Sequence, residues 1–451
     1  MDRRKPNFIF ILGDDWGWGD LGCFGHKQIK TPNLDKLAQR GTIFTQFYVA
    51  SPVCSPSRAA FMTGYFPARH RIHRVFARPE HPEHNEQQGM PNFLDPNVTT
   101  ITKLLQQNGY ITAHFGKWHL GSSEGAPTPG KYGIDVHLAS SGNGPQLEFE
   151  GVQVRDPAVR RKSTELIVDE TIKFIEDNKD RSFYVQAWLL DPHAILNPDE
   201  EQMEPYVHLS PEGVNHKGAM TIYYSAITDA DRHIGGLLRK LDELGLSENT
   251  VVIFTSDNGP EDIYVKNASH SGVGSPGPFR GRKRSLYNGG VRMPFIVRWP
   301  EHTPAGRVDN ESVIGAVDFL PTVCSLAGIE LPDNLELDGE DVSSVLTGHK
   351  KERTKSLMWE WRFNIIGHVI NKSPMLAIRD GRWKLLMNPD SSRIELYDAV
   401  SDRMEINNVA EKHPEVVERL SSRVLEWQAT LPKGPVSPGA GSNEYPWPGR
   451  D

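Results

Sequence analysis

Two aspartate-bearing turns stand out in the 451-residue chain: Asp14-Asp15 after the apolar run Asn7 to Leu12, and Asp257-Asn258 after the run Thr250 to Ser256. Strands of one sheet ending in these pairs would gather four hard oxygen ligands with a net charge of about −3, which repel one another unless a divalent cation such as Ca²⁺ or Mg²⁺ lies between them. Each pair alone is an ordinary turn signal; their joint placement favours the metal. Cys54-Ser-Pro-Ser-Arg58 sets a cysteine and a guanidinium at the start of a helical stretch. That pattern reads as a nucleophile of lowered pKa, with a buried inert thiol as the alternative. Lys117 and His119, two residues apart, share one side of an extended segment after the run Ile111 to Phe115. His193 and Lys283 add further cationic or proton-transferring groups beyond strand ends. Lys, His and Arg converging over a divalent ion describe a site for a tetrahedral oxyanion ester.

Other motifs carry less. Gly17-Trp-Gly-Asp-Leu-Gly22 matches a dinucleotide fingerprint in form, but two aspartates precede it where a pyrophosphate would approach and no helix opens at its end. His70-x-x-His73 and His81-x-x-His84 have metal-ligand spacing, yet Pro79 and Pro82 exclude a regular helix, so a solvated loop is expected. The basic stretch from Arg69 to Arg78 reads either as a pocket wall, with Arg74 toward an anionic saccharide, or as a solvated face. The Gly/Ser/Pro-rich stretch 267–282 offers His270 and Arg280 as substrate contacts.

The elements that must position these groups alternate. Asn7 to Leu12 reads as a strand buried on both faces. Thr31-Pro32 caps a helix with Leu34, Leu37 and Ala38 on its apolar stripe. Helices fit residues 98–108, 163–178 and 217–244; buried strands fit 183–190, 250–256 and 294–298. The expected fold is therefore α/β, a large mostly parallel central sheet flanked by helices, with ligands beyond the carboxyl ends of its strands. After about residue 350 the pattern becomes a small α+β subdomain with an antiparallel sheet: strands at 357–362 and 376–387, the latter a hairpin turning at Asp380-Gly381, and a helix over 414–430. The expected domains are a catalytic domain over 1–350, the subdomain over 351–431 and a Pro/Gly-rich tail over 432–451 that wraps the surface or stays loose.

Composition narrows the class. A net charge of −8 argues against nucleic acid as a partner, and no apolar run has the ~18 residues of a membrane span. The basic start is followed by too short an apolar run, Phe8 to Leu12, for a signal peptide, so the protein is cytoplasmic or its leader is missing. Three cysteines make no disulfide framework; Cys23 and Cys324 read as small core residues.

Cys54-x-Pro-x-Arg58 with Thr63-Gly64, Gly116-Lys-Trp-His-Leu-Gly121, the opening Asp14-Asp-Trp-Gly-Trp-Gly-Asp20 and Thr255-Ser-Asp-Asn-Gly259 together resemble the sulfatase family, the formylglycine-dependent members of the alkaline phosphatase-like superfamily. The resemblance implies that a maturation enzyme oxidises Cys54 to Cα-formylglycine and that Asp14, Asp15, Asp257 and Asn258 hold Ca²⁺. It implies a hydrated aldehyde held by Arg58 as the nucleophile at sulfur, with Lys117 orienting it. His193 and Lys283 would assist the leaving oxygen, and His119 would take the proton whose loss expels sulfate. The implied substrate is a sulfate ester, specifically a sulfated saccharide of galactose or N-acetylgalactosamine type, in a periplasmic or secreted setting. Two departures stand out: Tyr287-Asn288-Gly-Gly where the family often has Tyr-Glu-Gly-Gly, and Pro192-His193-Ala-Ile where Pro-His-x-Pro is common. A sulfate-contacting serine is Ser140 or Ser141. Phosphate or phosphonate ester hydrolysis on the same scaffold, and non-catalytic binding of sulfated glycans, are the alternatives.

Overall fold

The computed structural model describes residues 5–77, 81–121, 125–140, 157–210, 218–265 and 270–444, together with 142, 148–149, 152–153 and 212. Its main sheet contains β1 (Asn7–Gly13), β2 (Thr42–Phe44), β3 (Ile111–Lys117), β4 (Val136–Ser140), β5 (Phe183–Trp188), β6 (Thr250–Ser256), β7 (Phe295–Arg298) and β8 (Arg307–Asp309). Their order across the sheet is β8-β2-β7-β6-β1-β5-β3-β4. All pairings are parallel except those of β7, which runs antiparallel to both neighbours. The sheet is thus mostly parallel with one reversed strand.

The continuous apolar run of β1 has the cause expected. Phe8, Phe10 and Leu12 enter the core on one face of the sheet, while Ile9 and Ile11 enter a second core on the other, following the two-residue alternation of a strand. Helices Cys54–Thr63, Ile101–Gln107 and Phe319–Leu326 cover the first face. Helices Pro32–Gln39, Ser163–Asp177 and Ala219–Glu243 cover the second. Thr31 occupies the N-cap position of Pro32–Gln39, but its hydroxyl does not cap. Instead Asp231, from the long helix beside it, accepts the N–H groups of Asn33 and Leu34 at 3.0 and 2.8 Å, so a tertiary contact supplies the cap.

A second sheet, β9 (Leu357–Glu360), β10 (Leu376–Asp380), β11 (Trp383–Met387) and β12 (Glu395–Asp398), is antiparallel throughout. Helix Pro414–Ala429 lays Val416, Leu420, Val424 and Trp427 on it. Its apolar residues continue the core of the first face, and Trp359 Nε1 donates to Val49 O at 2.8 Å across the seam. The stretch 432–444 wraps this subdomain: Ser437 N donates to Arg362 O, and Arg393 and Lys372 donate to the carbonyls of Gly441 and Glu444. Cys324 is buried, Cys23 half-buried, and neither forms a disulfide. No described helix is long and apolar enough to cross a membrane.

Candidate active site

β6, β1, β5 and β3 are neighbours and parallel, with Ser256 beside Gly13, Leu12 beside Trp188, and Trp188 beside Gly116. All four end at one edge. The segments that follow deliver Asp257 and Asn258, Asp14 and Asp15, His193, and Lys117 and His119 to one place, and the buried helix Cys54–Thr63 adds Cys54 and Arg58. Asp14, Asp15, Cys54 and Asp257 each bring one donor atom within 4.8 Å of the others, and Asp15, Cys54 and His193 form an overlapping trio.

Cations surround the acids. Lys117 Nζ donates to both Asp14 oxygens at 2.9 and 2.7 Å, and Lys283 Nζ to both Asp15 oxygens at 2.7 Å. Arg58 donates through Nε and Nη2 to Asp257 Oδ2 at 2.9 and 2.7 Å, and through Nη1 to Lys117 O at 2.5 Å. Cys54 Sγ lies 3.5 Å from Asp14 Oδ1, and His193 Nε2 lies 3.7 Å from Asp15 Oδ2. Three non-glycine residues at the site hold left-handed φ angles, Asp15 at 68°, His119 at 56° and Arg284 at 74°, strain of the kind that accompanies precise positioning.

The oxygen set fits a divalent cation. Asn258 Nδ2 donates to Asp15 Oδ1 and Gly259 O, while its buried Oδ1 has no hydrogen-bond partner among the described residues. An unsatisfied buried acceptor costs about 1–3 kcal/mol, which a cation beside the three carboxylates would offset. Those carboxylates face three cations, Arg58, Lys117 and Lys283, so a bound divalent ion would leave an excess charge of about +2, complementary to an anionic ester.

Burial governs the titration of these groups. It pushes the Cys54 thiol up, with Asp257 adding to the effect and Lys117 and Lys283 opposing it. This corrects the expectation of a lowered thiol pKa: nearby carboxylates and desolvation outweigh the cations. Burial raises Asp257 to about 6, helped by Asp14, and raises Asp15. Asp14 falls well below the carboxylate range because Lys117, with Arg58 and Lys283, overcomes its burial. Burial and then Lys283 lower His193 to about 3; burial and then Lys117 hold His119 well below its ordinary value. Both shifts favour the neutral imidazole, and His119 Nδ1 is buried without a partner among the described residues.

The supports come from residues that the sequence motifs do not single out. Arg160 donates through Nη1 to Asp191 Oδ1 at 2.7 Å and through Nη2 to the carbonyls of Leu190 and His193 at 2.9 and 2.7 Å. Asp191 also accepts from Thr164 Oγ1 at 2.6 Å, and its carbonyl accepts from Asp14 N and Trp16 Nε1. Glu261 accepts from Arg284 at 2.5 and 3.0 Å and lies 3.7 Å from Lys283. Burial alone would raise Glu261, yet Lys283 and Arg284 hold it at about 2. Gly289 and Gly290 let the lysine loop fold tightly, since a Cβ there would lie 2.0 Å from Gly281 O or Ser285 O. Asn288 faces the seam with the second sheet: Nδ2 donates to Arg403 O and Oδ1 accepts from Lys384. The glycines of the segment 17–22 serve packing too, a Cβ on Gly17 meeting Ser275 O at 2.1 Å, while Asp20 accepts from Gly17 N, Ser275 N and Tyr223 Oη.

A cavity of about 460 Å³ opens over Cys54, His119, His193 and Lys283 and is walled by Arg74, Arg284, Trp361, Phe363 and Ile366, with Ser437 from the tail. Arg74 is thus at the pocket. Arg280 is not: its guanidinium donates to Ile370 O, Tyr397 Oη and Glu405 O, tying the lysine loop to the second sheet, which corrects its reading as a substrate contact. His270 precedes the turn Ser271–Val273 and does not line this cavity. Ser140 Oγ donates to Gly142 O at 2.7 Å; Ser141 and Arg78 lie outside the described residues.

Residues 6–329 match the family model described as Sulfatase, and residues 279–430 match the model described as N-sulphoglucosamine sulphohydrolase, C-terminal. Human arylsulfatase A is 32% identical over 402 residues, 84% of this chain and 74% of that protein. Mouse N-acetylgalactosamine-6-sulfatase is 33% identical over 376 residues, 78% of this chain and 68% of that protein. Among solved structures, Ps i-CgsB in complex with k-i-k-neocarrahexaose has a TM-score of 0.77 at 26% identity, covering 98% of this chain and 95% of the other.

Proposed function

The chain belongs to the sulfatase family and is a sulfuric ester hydrolase, and from that premise we propose that Cys54, matured to Cα-formylglycine by a formylglycine-generating enzyme, carries the nucleophile of the reaction. The convergence of Cys54 Sγ with oxygens of Asp14, Asp15 and Asp257 inside 4.8 Å supports this reading most strongly. Asp14, Asp15, Asp257 and Asn258 are the residues that would hold Ca²⁺. When present, the ion and the hydrated aldehyde supply charge neutralisation and an oxygen nucleophile that ordinary cysteine lacks.

The chain's own residues do the rest. Arg58, with its fork on Asp257, fixes one wall and holds negative charge next to position 54. Lys117 and Lys283, both buried, offset charge that builds on the sulfuryl oxygens and the leaving oxygen. His193, at the cavity, donates through Nδ1 to Ala194 O at 2.8 Å, which leaves Nε2 to carry a proton to the leaving oxygen, and His119 accepts the proton whose removal releases sulfate. The substrate is a sulfated saccharide, with the galactose or N-acetylgalactosamine type favoured by the relative that acts, by name, on N-acetylgalactosamine 6-sulfate. In this reading residues 1–350 form the catalytic domain and 351–431 a subdomain that walls the pocket through Trp361 and Phe363. The working compartment is the periplasm or the exterior.

Matched aryl sulfate and aryl phosphate esters test the reaction class. The sulfate ester should turn over with the higher kcat/KM, and Cys54→Ala should abolish it. A preference for phosphate, or full activity of Cys54→Ala, would overturn the proposal.

A further inference from the structure

Arg74 stands between two cavities. It lines the pocket over Cys54 and also a neighbouring cavity of about 430 Å³ bounded by His84, Asn85, Gln87 and Gln88. Its guanidinium carbon lies 5.1 Å over the Phe363 ring, and Nη1 donates to Gln88 Oε1 at 2.9 Å. Phe363 and Gln88 thus hold the fork at the boundary of the two spaces.

Arg74 also differs from the other cations of the site in its partners. Arg58, Lys117, Lys283 and Arg284 each have a carboxylate within 2.9 Å. Among the described residues, no carboxylate oxygen lies within ion-pair distance of Arg74. A half-buried guanidinium whose hydrogen bond goes to a neutral amide keeps most of its five donors and its full charge for a ligand. Its surroundings oppose that charge, since both burial and the neighbouring Arg284 lower the pKa of Arg74. An anion supplied by the substrate is the partner that would relieve this.

Resting on the sulfatase reading, we propose that the preferred substrate is a saccharide of at least two units carrying a second anionic group, a carboxylate or sulfate on the unit next to the one desulfated, which Arg74 binds while the neighbouring cavity takes that unit. The polar part of that cavity's lining, an imidazole and three side-chain amides, suits sugar hydroxyls. Arg74 is here a specificity residue, and the aromatic ring beneath it limits the positions its fork can take.

The test uses competitive inhibition of aryl sulfate hydrolysis by the mature enzyme. The inhibitors are a monosulfated uronate-containing disaccharide, its carboxyl methyl ester, and the methyl ester bearing an additional sulfate on the esterified unit. Charge-assisted contacts predict that at least one doubly anionic form binds about tenfold or more tighter than the singly charged methyl ester. Whichever form gains shows whether carboxylate or sulfate is read. Arg74→Gln should reduce that ratio to near one, and Arg74→Lys, which keeps charge but loses the fork, should leave an intermediate ratio. The ratio within each variant is the readout, so a general loss of rate does not enter. Equal inhibition by all three compounds in the wild type, inhibition by none, or an unchanged ratio in Arg74→Gln would overturn the inference. Failure of the mature wild-type enzyme to hydrolyse the aryl sulfate at all would instead overturn the reading of the reaction.

Discussion

Asp191→Asn probes how the site is held. Asp191 is buried, as is Arg160, and their 2.7 Å ion pair anchors the segment that carries His193. Arg160 in turn binds the carbonyl oxygens of Leu190 and His193, and Asp191 O receives Asp14 N at 3.2 Å. Removing the charge leaves a buried guanidinium without its counter-ion, a loss of about 3–5 kcal/mol when a buried pair is broken outright and toward the lower figure when an amide remains. His193 and Asp14 should then lose their positioning, and small displacements of that kind cost about tenfold to a hundredfold in rate. Denaturant unfolding and kcat/KM on an aryl sulfate, measured for Asp191→Asn, Arg160→Gln and the double variant, read both effects. The two residues acting as one unit predict a double variant hardly worse than either single one. Strictly additive losses, or wild-type activity in Asp191→Asn, would refute the positioning role.

Removing divalent cations with a chelator should abolish sulfate release and lower thermal stability, both restored by Ca²⁺; Asn258→Ala should raise the Ca²⁺ concentration needed for half-activity by about tenfold or more, read by titration. Gly116 has φ 107° and a Cβ there would lie 2.0 Å from Trp188 O, so Gly116→Ala should yield little soluble protein or a sharply lowered melting temperature. His114 is buried against Gln186 and burial holds its pKa at about 3. Its folded pKa lies below the ordinary value, so its stabilisation is present above about pH 6.5 and is lost as pH falls toward 3, at up to about 1.4 kcal/mol per unit. The stability gap between wild type and His114→Gln should therefore shrink on acidification, and a constant gap would contradict this. Arg280→Gln should lower stability by about 1–3 kcal/mol, with KM for an aryl sulfate within about twofold of wild type, since its hydrogen bonds run to the second sheet.

The part of the site legible in the sequence is the part set by strand ends. Apolar runs before Asp14, Asp257 and Lys117 mark parallel strands, and parallel strands share a carboxyl edge, so those groups meet. What lay beyond the sequence depends on long-range approach. Asp231, 198 residues on from the Asn33 whose N–H it accepts, takes over the cap expected of Thr31. The reversal of β7 leaves no mark in its composition, because a strand buried on both faces reads the same in either direction. From its spacing Cys54 reads either as a thiol activated by Arg58 or as a buried inert one; Asp14 and Asp257 are nearer in space than any spacing reveals, and burial opposes the thiolate. Arg280 shares a Gly/Ser/Pro-rich stretch with the catalytic lysine, yet Tyr397 and Glu405, more than a hundred residues on, fix its direction.

The account turns on the chemical state of position 54. Mass spectrometry of the peptide containing Cys54 gives the fraction of chains in which an aldehyde replaces the thiol, and the same preparations can be assayed for sulfate release. Co-expression with differing amounts of a formylglycine-generating enzyme varies that fraction. Activity should rise in direct proportion to aldehyde content and extrapolate to zero at none; sustained sulfate release by protein containing only the thiol would contradict the account.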